Sequence, residues 1–371
     1  MDDCLILGGG VIGLSLAYEL AAQGITVRVL ERGTAGREAS WAGAGILPAG
    51  NITAPRTVDE RLIRLCHDLH PHWAAQLREE TGIDNGYRRT GGIYLARSAV
   101  DAEQLHRQGQ DWRDRGIAAE MIAPARFREI EPALAGPEQG GRFPAALFAP
   151  DEAQIRNPRH LQALLAACTA RGVRVVEGES AEDFEISGRR VVAVRTATGR
   201  IAAGVVCITS GAWSRPLLAR LGATVPLKPV RGQIALLRSR VPLLGRVVNL
   251  GRRYLVPRDD GRVLVGSTEE DVGFVKRTTA EAIAELLRLA IELVPGLAAA
   301  ALESSWAGLR PATPDERPYL GRVPGFENAY VAAGHFRSGL QLSPGTAVVM
   351  RQAILGQPSA VDLSSFGLDR G

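Results

Sequence analysis

Three side chains in the second half of the chain have types and settings suited to holding a small acid. Arg310 sits in GLRPAT between the apolar Leu309 and Pro311, an odd place for an arginine whose only partner is water. A guanidinium is a planar fork that grips a carboxylate through two parallel, charge-assisted hydrogen bonds. Arg310 is therefore a candidate carboxylate clamp, with a buried structural ion pair as the alternative. Tyr254, in RRYLVPR, opens an apolar strand-like run; its phenol either hydrogen-bonds a ligand or fills the core. Arg337, in GHFRSG, directly follows the apolar run AYVAAG.

A second chemistry-bearing pattern lies at the other end of the chain. Residues 5–8 read as a buried strand, 10–23 as a helix and 26–31 as a second strand. Where strand meets helix stands Gly8-x-Gly10-x-x-Gly13. In such a unit the first glycine allows the tight turn and the second lets a pyrophosphate approach the backbone. The third lets helix and sheet pack closely, and the helix N-terminus offers N–H donors to the anion. Glu31 ends the second strand, where a carboxylate can accept ribose hydroxyls. Together these predict a dinucleotide site.

A nicotinamide-dependent enzyme would continue in alternating strand and helix. Here the Gly/Ala/Ser-rich stretch 33–50 intervenes, with residues 39–46 at its centre, and a last strand-loop-helix is kept for residues 329–355. A helix N-terminus there would favour negative charge on the pyrimidine side of a reduced flavin. Glycine-rich contacts at both ends of the chain favour FAD.

The elements needed to position these groups are legible in outline. Residues 59–82 have helical spacing through Leu62, Leu65, Leu69, Trp73 and Leu77. Short strand-like pieces and polar helices follow over residues 86–150. A helix is expected at 158–171, with strands at 173–177, 191–196 and 205–209. Antiparallel sheet is expected over 227–237, and in the hairpin RRYLVPRDDGRVLVGST, turned at Asp260-Gly261. Tyr254 should pair near Ser267 and share a face with Val256. Another helix is expected at 278–293, and the last one begins between 339 and 344.

The fold class is α/β: a discontinuous Rossmann-like nucleotide domain (1–85, 151–225, 305–371) and a second lobe with a large antiparallel or mixed sheet (86–150, 226–304). The 371 residues suffice for two cores. The net charge of +4 comes from arginines scattered among acids, with Lys228 and Lys276 the only lysines. That distribution argues against a nucleic-acid groove. No apolar stretch approaches the roughly 20 residues that span a bilayer, and a strand candidate at Cys4 leaves no room for a leader. Cytoplasmic residence is the expectation. Cys4, Cys66, Cys168 and Cys207 are far apart and read as buried thiols. The cluster Cys66-His67-Asp68-Leu69-His70-Pro71-His72 has metal-ligand residue types. Yet Pro71 should break the helical register, and a polar helix end with Leu65 and Leu69 inward is the better reading. No metal is expected.

Along nearly its whole length the chain resembles the glycine oxidase branch of the D-amino-acid oxidase flavoprotein superfamily. The matching stretches are GGGVIGLSLAYEL, ASWAGAGILPA, ITSGAWS, PVRGQ, RYLVPRDDGRVLVGST, SWAGLRPATPDERPYLG and YVAAGHFRSGLQLSP. The resemblance implies an antiparallel sheet roofing the flavin. It implies FAD contacts at Gly8, Gly10, Val11, Ile12, Gly13, Glu31, Arg32, Ala39, Ser40, Ala44, Gly45, Ile46, Ala181 and Gly211. It also places His335, Phe336, Arg337, Ser338, Gly339, Leu340 and Gln341 against the ring system, and gives Tyr254, Arg310 and Arg337 substrate-facing roles. In related sarcosine-oxidase-like enzymes a cysteine ahead of the TPDE segment bonds the flavin; AGLRPATPDE has none, so non-covalent FAD is expected.

The chain departs from the pattern at Glu269, where an apolar methionine can stand, and at Arg252-Arg253. Glu269 is open to pairing with a substrate ammonium, with Arg252 or with solvent. The resemblance implies oxidation of glycine, sarcosine or small D-amino acids to an imine, then to a 2-oxo acid and ammonia, with O2 reduced to H2O2. A role in supplying glycine imine for thiamine thiazole and a homotetrameric assembly belong to the same expectation. A D-amino-acid dehydrogenase feeding a quinone or carrier, and a flavin-binding protein without turnover, are the alternatives.

Overall fold

The computed structural model describes residues 2–123, 126–134 and 143–370. Its first sheet is built from the short apolar runs that cannot stand in water: Asp2–Leu7 lies at the centre, parallel to Val27–Glu31 on one side and to Gly199–Ile208 on the other. Arg174–Glu177 extends it beyond Val27–Glu31. Gly199–Ile208 is longer than expected because its two halves serve different neighbours. The first half pairs antiparallel with Arg190–Thr196, itself paired to Ala181–Ser187; the second half pairs parallel with Ala329–Ala333. Tyr319–Arg322 closes that edge.

Both faces of such a sheet must be covered. Helices Val11–Ala21, Asn157–Ala170, Val58–Thr81 and Gly339–Leu355 share one continuous apolar core with the sheet, including Leu14, Leu62, Leu164 and Met350.

Val58–Thr81 corrects one expectation. Its ends are fixed by the Thr57–Glu60 capping box and by Gly82 at φ 71°. Pro71 lies inside it, however, and the helix runs on. A proline mid-helix forfeits one hydrogen bond and costs about 3 kcal/mol. Beyond it, Trp73 packs edge-on against Tyr18 at 5.2 Å and Leu77 is fully buried, so the tertiary contacts of the second half outweigh the loss. The inward face is Leu62, Cys66, His70, Trp73 and Leu77, with Leu65 and Leu69 only half-buried beside it.

The second sheet has eight strands in the order Ala301–Ala312, Lys228–Arg238, Arg262–Gly266, Arg253–Pro257, Val247–Leu250, Gly92–Leu95, Ala146–Ala149 and Glu120–Ile122. All neighbours are antiparallel except Val247–Leu250 and Gly92–Leu95. Helix Ala280–Leu293 covers one face through Leu286, Leu289 and Leu293. Ala301–Ala312 belongs to this sheet throughout, so a division at residue 305 falls inside one of its strands. Of the strand-and-helix region expected at 86–150, residues 124, 125 and 135–142 lie outside the described residues. Among the described residues no helix is long and apolar enough to cross a membrane.

Candidate active site

One cavity of about 610 Å³ runs from the carboxyl ends of the first sheet's strands to the open face of the second sheet. Every residue singled out from the sequence for cofactor or substrate lines it except Gly13 and Glu269.

The nucleotide end is shaped by positions that admit no side chain. Gly8 has φ +119°, and a Cβ there would lie 2.7 Å from the Thr209 carbonyl oxygen. Gly13 works from behind the wall: its Cβ would meet the Gly8 carbonyl oxygen at 2.0 Å, so only glycine lets the helix sit this close to the sheet. Gly10 caps the helix without a side chain, and Ser40 Oγ accepts the Val11 N–H at 2.9 Å. Glu31 is buried; its carboxylate accepts the N–H groups of Gly9 at 2.8 Å and Gly33 at 2.9 Å. Each oxygen has further acceptor capacity, so Glu31 both ties the two loops and presents a ribose-binding edge. Beyond it the Arg32 guanidinium lies 3.5 Å over the Trp213 ring. A glycine-walled channel at a helix N-terminus with a carboxylate at its side fits a dinucleotide. The space continues past Ala39, Ser40, Ala44, Gly45 and Ile46 toward residues 335–341, as the larger FAD requires.

At that junction Gly334 (φ 81°) and Phe336 (φ 47°) both adopt left-handed conformations. The Phe336 N–H donates to the Pro311 carbonyl at 2.9 Å, tying the turn to the strand that carries Arg310. His335 is buried, bonded through Nε2 to Thr346 Oγ1 at 3.2 Å, and burial alone pulls its pKa down to about 3. It is a neutral ring at ordinary pH.

The charged end rests on two strand glycines. Arg310 lays its guanidinium across Gly232, where a Cβ would meet the guanidinium carbon at 2.4 Å. Tyr254 lies across Gly266, its paired residue in the hairpin, where a Cβ would be 2.7 Å from the ring. Tyr254 packs in the same cluster as Val256. Arg310 donates to Ser267 Oγ at 2.6 Å and to the Thr268 carbonyl at 3.2 Å. Among the described residues no carboxylate lies within ion-pair distance of it. Burial lowers its pKa, and the neighbouring Tyr254 opposes that shift.

Arg337 is arranged differently. It pairs with Glu269, which also takes Arg252 at 2.5 Å. Of the options open to Glu269, pairing with Arg252 is the one adopted, with Arg337 added. Gly232, Gly266 and Ser267 were not singled out from the sequence. For the two glycines the signal is their place inside a strand, which marks a close approach by another group. Tyr94 and Asn249 also line the cavity; nothing in their local sequence marks them. All four cysteines are buried and none lines it. Among the described residues no cluster of three or more His, Cys, Asp or Glu could hold a metal ion.

A Rossmann-like sheet whose glycine turn opens onto a second sheet bearing an unpaired guanidinium defines a dinucleotide-dependent enzyme. The chain belongs to the FAD dependent oxidoreductase family, whose model matches residues 3–353. It is 36% identical over 369 residues to a glycine oxidase of Geobacillus kaustophilus, covering 99% of this chain and 97% of the relative. The crystal structure of glycine oxidase from Geobacillus kaustophilus superposes with a TM-score of 0.93 at 35% identity, covering 100% of this chain and 99% of the other. A bifunctional protein ThiO/ThiG of Trichormus variabilis is 34% identical, covering 99% of this chain and 55% of the relative. The protein is thus an FAD-dependent oxidoreductase and a homologue of glycine oxidases.

Proposed function

We propose that the chain oxidises glycine, and with it sarcosine and small D-amino acids, to the imine that hydrolyses to a 2-oxo acid and ammonia, with O2 reduced to H2O2. One observation carries this reading: Arg310 stands half-buried at the end of the candidate cofactor cavity, held by Ser267 and Thr268, with no carboxylate of its own among the described residues. A buried cation without a partner costs stability unless a ligand supplies the charge. The substrate carboxylate would take the guanidinium fork, with the Tyr254 phenol as a further donor. Arg337 would flank the same ligand from the turn that meets the cofactor. Fixing the acid group in this way orients Cα–H toward the ring and limits the ligand to a short side chain.

FAD, when bound, supplies the hydride acceptor, held by residues 8–13, 31, 39–46, 181, 211 and 335–341. The absence of a cysteine from the cavity wall supports non-covalent FAD. Denaturation should therefore release all yellow colour into the supernatant; colour precipitating with the chain would refute this. The relatives named glycine oxidase support the substrate. The relative named ThiO/ThiG supports a role in supplying glycine imine for the thiazole of thiamine. The family resemblance supports a cytoplasmic homotetramer, which light scattering on the purified protein tests.

The experiment for the reaction is an amino-acid panel read in two ways. Peroxide and ammonia should appear under air with glycine. Dye reduction under nitrogen without peroxide under air would instead indicate a dehydrogenase feeding a quinone or carrier.

A further inference from the structure

Across the second sheet the paired residues Gly266, Tyr254, Asn249 and Tyr94 form a lateral row, each the register partner of the next. At the end of this row lies Glu152, fully buried. Its carboxyl accepts the Tyr94 hydroxyl through Oε2 and the Asn249 amide at 3.1 Å through Oε1. Gly92 makes room for it: a Cβ there would lie 2.2 Å from Oε1. Tyr94 and Asn249 line the cavity, so Glu152 sits one hydrogen bond behind the cavity wall.

No cation accompanies this acid among the described residues. The strand Gly92–Leu95 faces it with Tyr94, a phenol kept protonated by burial, and Val247–Leu250 faces it with the neutral Asn249. Asp151, its chain neighbour, is engaged by Asn51 at 2.7 Å and Arg89 at 3.6 Å. A structural acid would be paired with a cation or turned to water; this one is attached only to two groups on the cavity wall.

We propose that Glu152 takes, through the Tyr94 hydroxyl, the proton that the substrate ammonium must lose before its Cα–H can leave as hydride. The inference rests on the amino-acid oxidase reading above. The ammonium N–H bond breaks and its proton passes to Tyr94 Oη, directly or through a water, while the Tyr94 proton passes to Glu152 Oε2. Ammonium and carboxylate become amine and carboxylic acid, and no electron moves. Glu152 returns the proton to solvent when product leaves. Burial raises its pKa to about 7, against the opposing hydrogen bonds of Tyr94 and Asn249, so at neutral pH it can both accept and release. Glu152 acts through Tyr94 and Asn249, and is a positioning residue for the proton.

The test is the pH profile of kcat/KM for glycine in the holoenzyme. In the wild type it should rise through a limb near the Glu152 value of about 7. Glu152→Gln should lose that limb and run on the order of 10²-fold slower at neutral pH, with FAD content unchanged. Tyr94→Phe should do the same, and carries the test if Glu152→Gln does not fold. Infrared difference spectra of the holoenzyme across the same pH range should show a protonated carboxyl band that Glu152→Gln removes. A wild-type limb retained in the variants, or no such band, overturns the proposal. Failure of glycine to reduce the wild-type flavin at any pH would instead overturn the substrate reading.

Discussion

At the scale of single residues the site works by leaving the Arg310 guanidinium without an acid of its own among the described residues. Arg310 is bonded to a hydroxyl and a carbonyl, while Arg337 and Arg252 share Glu269. Arg310 therefore gains its first counter-ion when an acid binds. Hydrogen bonds to charged groups contribute about 1.5–3 kcal/mol each, so Arg310→Ala should raise KM for glycine at least tenfold while FAD stays bound; unchanged kinetics would remove it from the clamp. Tyr254→Phe should cost on the order of 1 kcal/mol in kcat/KM, the worth of one hydrogen bond, and a total loss of turnover would show a larger role. Glu31→Ala should weaken FAD retention in dialysis, because it removes an acceptor for ribose and frees the Gly9 and Gly33 N–H groups. A variant that keeps full flavin would count against the ribose contact.

At the scale of elements the decisive feature is close approach. The last two strands of the second sheet's long edge carry Gly232 under the Arg310 guanidinium, and the neighbouring hairpin carries Gly266 under Tyr254. Gly232→Ala should displace Arg310 and raise KM without releasing FAD, a split that separate flavin-content and kinetic assays read directly. Most elements were legible in the sequence because their apolar period is clean. The helix expected at 158–171 is Asn157–Ala170, and Asp260-Gly261 turns the hairpin as expected. The extent of Val58–Thr81 is legible in its apolar spacing but its passage through Pro71 is not, since local propensity cannot register that Trp73 and Leu77 are buried on the far side. Strand Ala301–Ala312 is not legible as a continuous element, because its first five residues are exposed at a sheet edge and carry no alternation. Tyr94, Asn249 and Glu152 come together only through pairing across three strands and a turn, a juxtaposition that no local pattern encodes.

At the scale of the whole molecule, burial of titratable groups ties stability to pH. His70, His160 and His335 are buried and held neutral, their pKa values pushed down to about 4, 3 and 3 by loss of solvent. Below the ordinary imidazole value of 6.5 the unfolded chain takes up protons that the folded chain does not, so stability should fall as pH drops through that range. Glu152 has the opposite sign. Its folded pKa of about 7 exceeds the ordinary 4.5, so the folded state binds the extra proton between these values and stability from this group is lost as pH rises through them. Urea unfolding as a function of pH should show Glu152→Gln gaining relative to wild type from acid toward neutral pH; a constant difference would contradict the raised pKa. The candidate cofactor cavity is lined by residues of both lobes, so FAD should raise the thermal midpoint of the whole chain rather than of one part.

The central measurement is the absorbance of the flavin on anaerobic addition of glycine. The purified protein should be yellow, and its visible band should bleach with glycine in the wild type but not at the same concentration in Arg310→Ala. A colourless preparation, or bleaching unaffected by loss of the Arg310 guanidinium, would contradict a substrate held by its carboxylate against FAD.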